Sequence, residues 1–156
     1  MADLTNAEAK FLIELEKIAT DRRIDIPVDS KKEHLNLARA EEPNDNIMRI
    51  YIKRGKRNIN KCSFNVVYNK SIILLRLDIE PGRIHQNPDG QDVPNPHLHI
   101  YREGYDDRYA IPAPESFVDM GNLAQALYDL LGYSNVINRD EVEIFDQGVL
   151  FNGLDQ

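Results

Sequence analysis

Apolar positions recur at helical spacing near both ends of the chain and alternate with polar ones through its middle. Phe11, Leu12, Leu15, Ile18 and Ala19 share one helical face, and Thr5-Asn6-Ala7-Glu8 fits a capping box, so the pattern predicts a helix running to about Thr20. Residues 24–30, with Pro27 among them, read as extended. Residues 32–39 alternate weakly, Leu35 and Leu37 against His34 and Asn36, and 41–46 read as a turn. Period-two alternation then predicts strands over 47–53, 61–68 and 71–80, with Ile73, Leu75, Leu77 and Ile79 on the inner side of the last. Asn69-Lys70 suits a two-residue hairpin connection. Further strands are expected over 97–102 and 108–111. A second helix is expected from the capping pattern Ser116-Phe117-Val118-Asp119, with Leu123, Leu127, Leu130 and Leu131 inward and Gly132 as its end. Residues 141–145 suit either an edge strand or a short helix. The expectation is one α+β domain over 1–156, an antiparallel sheet of five or six strands with two amphipathic helices packed on one face.

Composition narrows the class. The 156 residues are 42% hydrophobic and 29% charged, which is globular. The longest apolar run, around Ile72 to Leu75, is far short of the ~18 residues of a membrane span. The N-terminus lacks the basic-then-apolar pattern of a secretory signal. The single cysteine, Cys62, excludes an internal disulfide and reads as a small buried hydrophobe. A cytoplasmic, reducing setting with no membrane partner is therefore expected. The net charge of −7 argues against coating nucleic acid through long-range attraction, yet residues 49–61 hold six cations and no acid.

The candidate chemistry centres on Pro94-Asn95-Pro96-His97-Leu98-His99-Ile100-Tyr101. On a strand, His97, His99 and Tyr101 leave one face while Leu98 and Ile100 leave the other. His85 lies just upstream, in a loop over 81–96 rich in proline and glycine that is long enough to serve as a lid. Placed in one sheet, the strands bring Arg49, Tyr51, Lys53, Ser63, Asn65, Arg76 and Asp78 onto that polar face. Three uses follow. In metal-free phosphodiester cleavage His97 and His99 act as base and acid, Arg76 clamps the phosphate, and Tyr101 and His85 assist, with Arg49, Lys53 and His85 as ligand-binding residues. In a metal centre, His97 and His99 joined by His85 or Asp78 hold a divalent ion such as zinc with one position open to water. In the third, the polar face docks a partner protein without chemistry.

Three resemblances bear on these readings. His97-Leu98-His99-Ile100-Tyr101 is similar, over some eight residues, to the alternating strand of the histidine-triad nucleotide hydrolases, but Tyr101 stands where the third histidine would be. A longer stretch, His85-Gln86-Asn87-Pro88-Asp89-Gly90, then Pro96-His97-Leu98-His99-Ile100-Tyr101-Arg102-Glu103-Gly104-Tyr105 and Tyr109-Ala110-Ile111-Pro112, resembles a family of small uncharacterised bacterial proteins, a domain of unknown function found in genomes and mobile elements. The resemblance carries no established activity. The Arg-strand, loop and Pro-His-x-His order is also similar to small toxin-like proteins acting on RNA, which implies a nucleotide or RNA ligand.

Overall fold

The capping box forms: Thr5 Oγ1 accepts the Glu8 amide at 3.1 Å and Glu8 Oε1 accepts the Thr5 amide at 3.0 Å. In the computed structural model, which describes residues 3–28 and 32–149, this helix, α1, spans Asn6–Glu14 and stops well before Thr20. Strand pairing takes over. Lys17–Ala19 forms β1, antiparallel to β3 (Glu33–Arg39), with β2 (Arg23–Ile26) between them in the chain. The buried Lys17 ammonium donates to the carbonyls of Ile13 and Leu15 at 2.9 Å each. It also donates at 2.7 Å to that of Ser134, the residue capping the second helix, α2 (Leu123–Tyr133). One cation thus serves the carbonyl ends of both helices. Of the extended run expected over 24–30, residues 29 and 30 lie outside the described residues.

Next come β4 (Glu42–Arg54), β5 (Cys62–Tyr68), β6 (Ile72–Ile79), β7 (Ile84–Gln86), β8 (Asp92–Pro94), β9 (His97–Ile100) and β10 (Ala110–Pro112). Among the described residues the main sheet has seven strands, one more than the upper expectation, in the order β1-β3-β4-β5-β6-β9-β10 with every neighbour antiparallel. The turn expected over 41–46 is instead confined to Ala40 and Glu41. Register shifts on either side of Ala38 let Pro43 to Asp45 bulge from β4, where a proline without an N–H is tolerated. Asn69 and Lys70 make their hairpin turn with φ of 50° and 67°.

A second bulge matters more. Opposite the Val66/Val67 register shift, Leu74 and Leu75 are consecutive and both fully buried, so inward and outward positions exchange there. Leu74, not Ile73, fills the core. The exchange carries across to β9, where the Tyr101 amide donates to the Leu74 carbonyl at 2.9 Å.

The loop expected over 81–96 is also structured. β7 and β8 pair as a separate hairpin, turned by Asn87-Pro88-Asp89-Gly90, with the Asn87 amide on the Gln91 carbonyl and Gly90 at positive φ. The fifth strand starts later than expected, at Ala110. α2 starts at Leu123 behind Asn122, whose side chain accepts the Gln125 amide, so the Ser116–Asp119 pattern lies ahead of the helix. Gly132 does not end α2 but sits inside it. A Cβ there would come within 2.2 Å of Arg139, whose guanidinium also donates to the Tyr128 carbonyl. The tail forms β11 (Glu143–Asp146), parallel to β2.

Leu35, Leu37, Ile50, Phe64, Leu75, Leu77 and Leu98 from the sheet share one core with Ala9 and Leu12 of α1 and Leu127, Leu130 and Leu131 of α2. The chain is α+β with a large antiparallel sheet and few helices. No helix among the described residues is long and apolar enough to cross a membrane.

Candidate functional site

Register delivers the site. Lys53, Ser63, Asp78 and His97 are successive cross-strand partners on β4, β5, β6 and β9, and Tyr51, Asn65, Arg76 and His99 form the row beside them. Because side chains alternate with period two, Leu77 and Leu98 occupy the core while Arg76, Asp78, His97 and His99 share the opposite face. The β7–β8 hairpin lies over the histidine end. The His85 ring stands 4.6 Å from that of His99 and 5.5 Å from that of His97, and the two sheet histidines are 4.8 Å apart. Both are buried.

The polar contacts within this cluster are dense. Asp78 Oδ2 lies 3.2 Å from His99 Nε2 and 3.6 Å from His97 Nε2, while its Oδ1 accepts the Ser63 hydroxyl at 3.0 Å. Asn65 in turn donates to Ser63 Oγ. Burial pushes the Asp78 carboxyl up, but its contacts with His97 and His99 and the Arg76 charge outweigh it and hold the group well below the usual carboxylate range. His99 Nδ1 is 2.8 Å from the Asp107 carbonyl, which only accepts, so Nδ1 carries a proton and Nε2 faces Arg76 and Asp78. His97 Nδ1 is buried with no hydrogen-bond partner among the described residues.

Arg76, expected as an anion clamp, is committed inside the cluster. Its Nε donates to Asp78 Oδ2 at 3.2 Å, its Nη1 to Asp107 Oδ2 at 2.5 Å, and its Nη2 lies 3.0 Å from His99 Nε2. His85 is brought to the histidine pair, but its Nε2 faces the Arg108 carbonyl at 2.8 Å. Asp78 is the residue that completes, with His97 and His99, a set of potential ligand atoms all within 4.8 Å of one another. Tyr101 must be removed from the site. The exchange of sides opposite Leu74 turns it into the core, where its hydroxyl donates to the Leu4 carbonyl at 2.8 Å.

Arg49 is on the polar face but a row further away, donating to Asn36 and Tyr51. Lys53 borders a groove of about 820 Å³ that runs along the sheet to Arg76 and Asp78, past Lys56, Lys61, Ser63 and Asn65. Cys62 also touches this groove, yet burial pushes its thiol up to about 12, so it stays protonated and is no nucleophile at neutral pH. Asp107 escapes sequence reasoning. It lies among the acids of 103–107 in the β9–β10 connection, and no periodicity says where a loop side chain points.

The family model described as a family of unknown function (DUF6978) matches residues 4–136. No curated protein and no solved structure matches the chain. The chain belongs to the DUF6978 family.

Proposed function

We propose that this member of DUF6978 acts on a phosphate-bearing ligand, a nucleotide or an RNA phosphodiester, at the His97–His99–Asp78 cluster, with His97 moving the proton. One observation carries the reading: two buried imidazoles converge on an ionised carboxylate, Asp78, which with Arg76 also lines a groove edged by Lys53 and Lys56. Such convergence under a hairpin suits chemistry better than protein docking, which asks for a flat exposed face.

The roles differ from those expected from sequence. His97 borders a second cavity beneath the hairpin, shared with Arg83 and His85, and one of its nitrogens has no partner among the described residues. A buried polar atom left unpaired in this way invites a substrate group. His99 has both nitrogens engaged and acts as a positioning residue. Arg76 already faces two carboxylates, so the ligand's charge falls to Lys53 and Lys56, while Lys61 is partly met by Glu80 at 3.5 Å. Binding is local, since the net charge of −7 repels a polyanion at long range. The toxin-like reading is the RNA arm of this proposal.

The test is a panel of nucleotides and short oligoribonucleotides, scored for binding and turnover. His97→Gln is expected to lower turnover by about 10²-fold to 10⁴-fold while leaving binding in the groove close to wild type. Wild-type protein that neither binds nor converts any phosphate-bearing compound would end the proposal.

A further inference from the structure

We infer that Asp78, His97 and His99 form a binding site for one divalent first-row transition-metal ion, and that the Arg76 guanidinium holds the ligand lone pairs until the ion displaces it. The inference rests on reading this cluster as the working centre and names its cofactor; with an ion bound, His97 would serve as a ligand and the proton would come from water at the open position instead. A four-coordinate ion with bonds of about 2.0–2.1 Å keeps its ligand atoms roughly 3.3–3.4 Å apart. The separations from Asp78 Oδ2 to the two Nε2 atoms, 3.2 and 3.6 Å, bracket that value.

The supporting hydrogen bonds aim the lone pairs at one point. The Asp107 carbonyl takes the His99 Nδ1 proton, which leaves Nε2 as the donor atom. The Ser63 hydroxyl occupies Asp78 Oδ1 and leaves Oδ2. Arg76 contacts both of these atoms, Oδ2 through an Nε that is equally 3.2 Å from Oδ1, and His99 Nε2 through Nη2. A positive charge therefore already sits against the proposed ligands. Arg76 also has somewhere to go: its Nη1 is anchored on Asp107 Oδ2, outside the ligand set, so the guanidinium can pivot away without losing a carboxylate partner. Two imidazoles with one carboxylate suit zinc, cobalt, nickel or iron, whereas magnesium and calcium require oxygen-rich sites.

The experiment uses chelator-treated full-length protein titrated with zinc by calorimetry and with cobalt by visible absorption, with circular dichroism to verify the fold of each variant. One equivalent is expected to bind, with d–d bands of a low-coordinate cobalt site, and magnesium should not compete. Asp78→Asn and His99→Gln should each weaken binding by about tenfold or more. Arg76→Gln should tighten it, a gain that misfolding cannot produce. Absence of saturable binding in both wild type and Arg76→Gln, or binding indifferent to Asp78→Asn and His99→Gln, would overturn the inference. Nucleotide binding by the chelated protein is measured separately. If it persists while no metal binds, only the metal site falls; if metal binds and no phosphate compound does, the phosphate reading falls instead.

Discussion

Two arginines on neighbouring parts of the sheet are held against carboxylates, one buried and one partly exposed, and they make very different centres. Arg54, at the end of β4, is almost inaccessible and pairs with the equally buried Asp146 of β11; the Pro27 carbonyl accepts from the same guanidinium at 3.3 Å, and the Ile59 carbonyl accepts from its Nε. Among the described residues one cation meets one anion, and backbone oxygens accept from its Nε and Nη1. Arg76 instead meets two carboxylates, and two imidazoles crowd in with them. The first centre is complete and joins the tail strand to the sheet. The second gathers two carboxylates and two imidazoles around one guanidinium and leaves one imidazole nitrogen with no partner among the described residues. Completeness marks a structural pair, and a surplus of ligating atoms marks a place prepared for something else.

Breaking the complete centre should have the larger effect on stability. Arg54→Met leaves Asp146 buried without its cation and is expected to cost about 3–5 kcal/mol in denaturant unfolding, while the double change Arg54→Met with Asp146→Leu should recover most of it. Partial recovery to less than half would mean the two groups do not act as a closed pair.

Acid distinguishes the centres next. The folded-state pKa of Asp78 lies below its ordinary value of 3.8, so its contribution is fully present above that pH. As pH falls below about 4 toward the folded value, the unfolded chain binds the proton first and stability declines, by at most ~1.4 kcal/mol per pH unit for one proton. Asp78→Asn should flatten that part of the stability–pH curve, and an unchanged slope would refute the assignment.

The smallest effect is expected at Asp107→Asn. Its carboxylate is only partly buried, and losing one of the two anions on Arg76 should cost about 0.5–1 kcal/mol by thermal unfolding. A loss as large as that of Arg54→Met would show that the second centre is as closed as the first.

Legibility in the sequence follows the same division. Period-two alternation was enough to put Arg76, Asp78, His97 and His99 on one face, because those residues lie on strands whose other face is filled by Leu75, Leu77 and Leu98. The same logic failed one residue further on. Leu74 and Leu75 are alike in chemistry, so nothing in the string marks the bulge between them, and Tyr101 was carried to the wrong side. The N-terminal helix looks longer in the sequence than it is because Ile18 and Ala19 continue its apolar stripe, while the capping work of Lys17 depends on Ser134, more than a hundred residues away. Asp107 and the pairing of Arg54 with Asp146 were invisible for a related reason: each depends on a loop or tail whose position is fixed only by tertiary contacts. The hairpin over the site was legible as turn chemistry at Asn87-Pro88-Asp89-Gly90 but not as strands, since β7 and β8 have three residues each.

Asn87 has a consequence beyond the turn. Its side-chain amide donates to the Ala110 carbonyl at 3.0 Å and accepts the Ala110 amide at 2.8 Å, which imitates one rung of a neighbouring strand along β10, the last strand of the sheet. That border would otherwise offer bare peptide groups for another chain to zip onto. Displacing the hairpin would therefore also unmask adhesive peptide edge and leave the chain exposed to self-association.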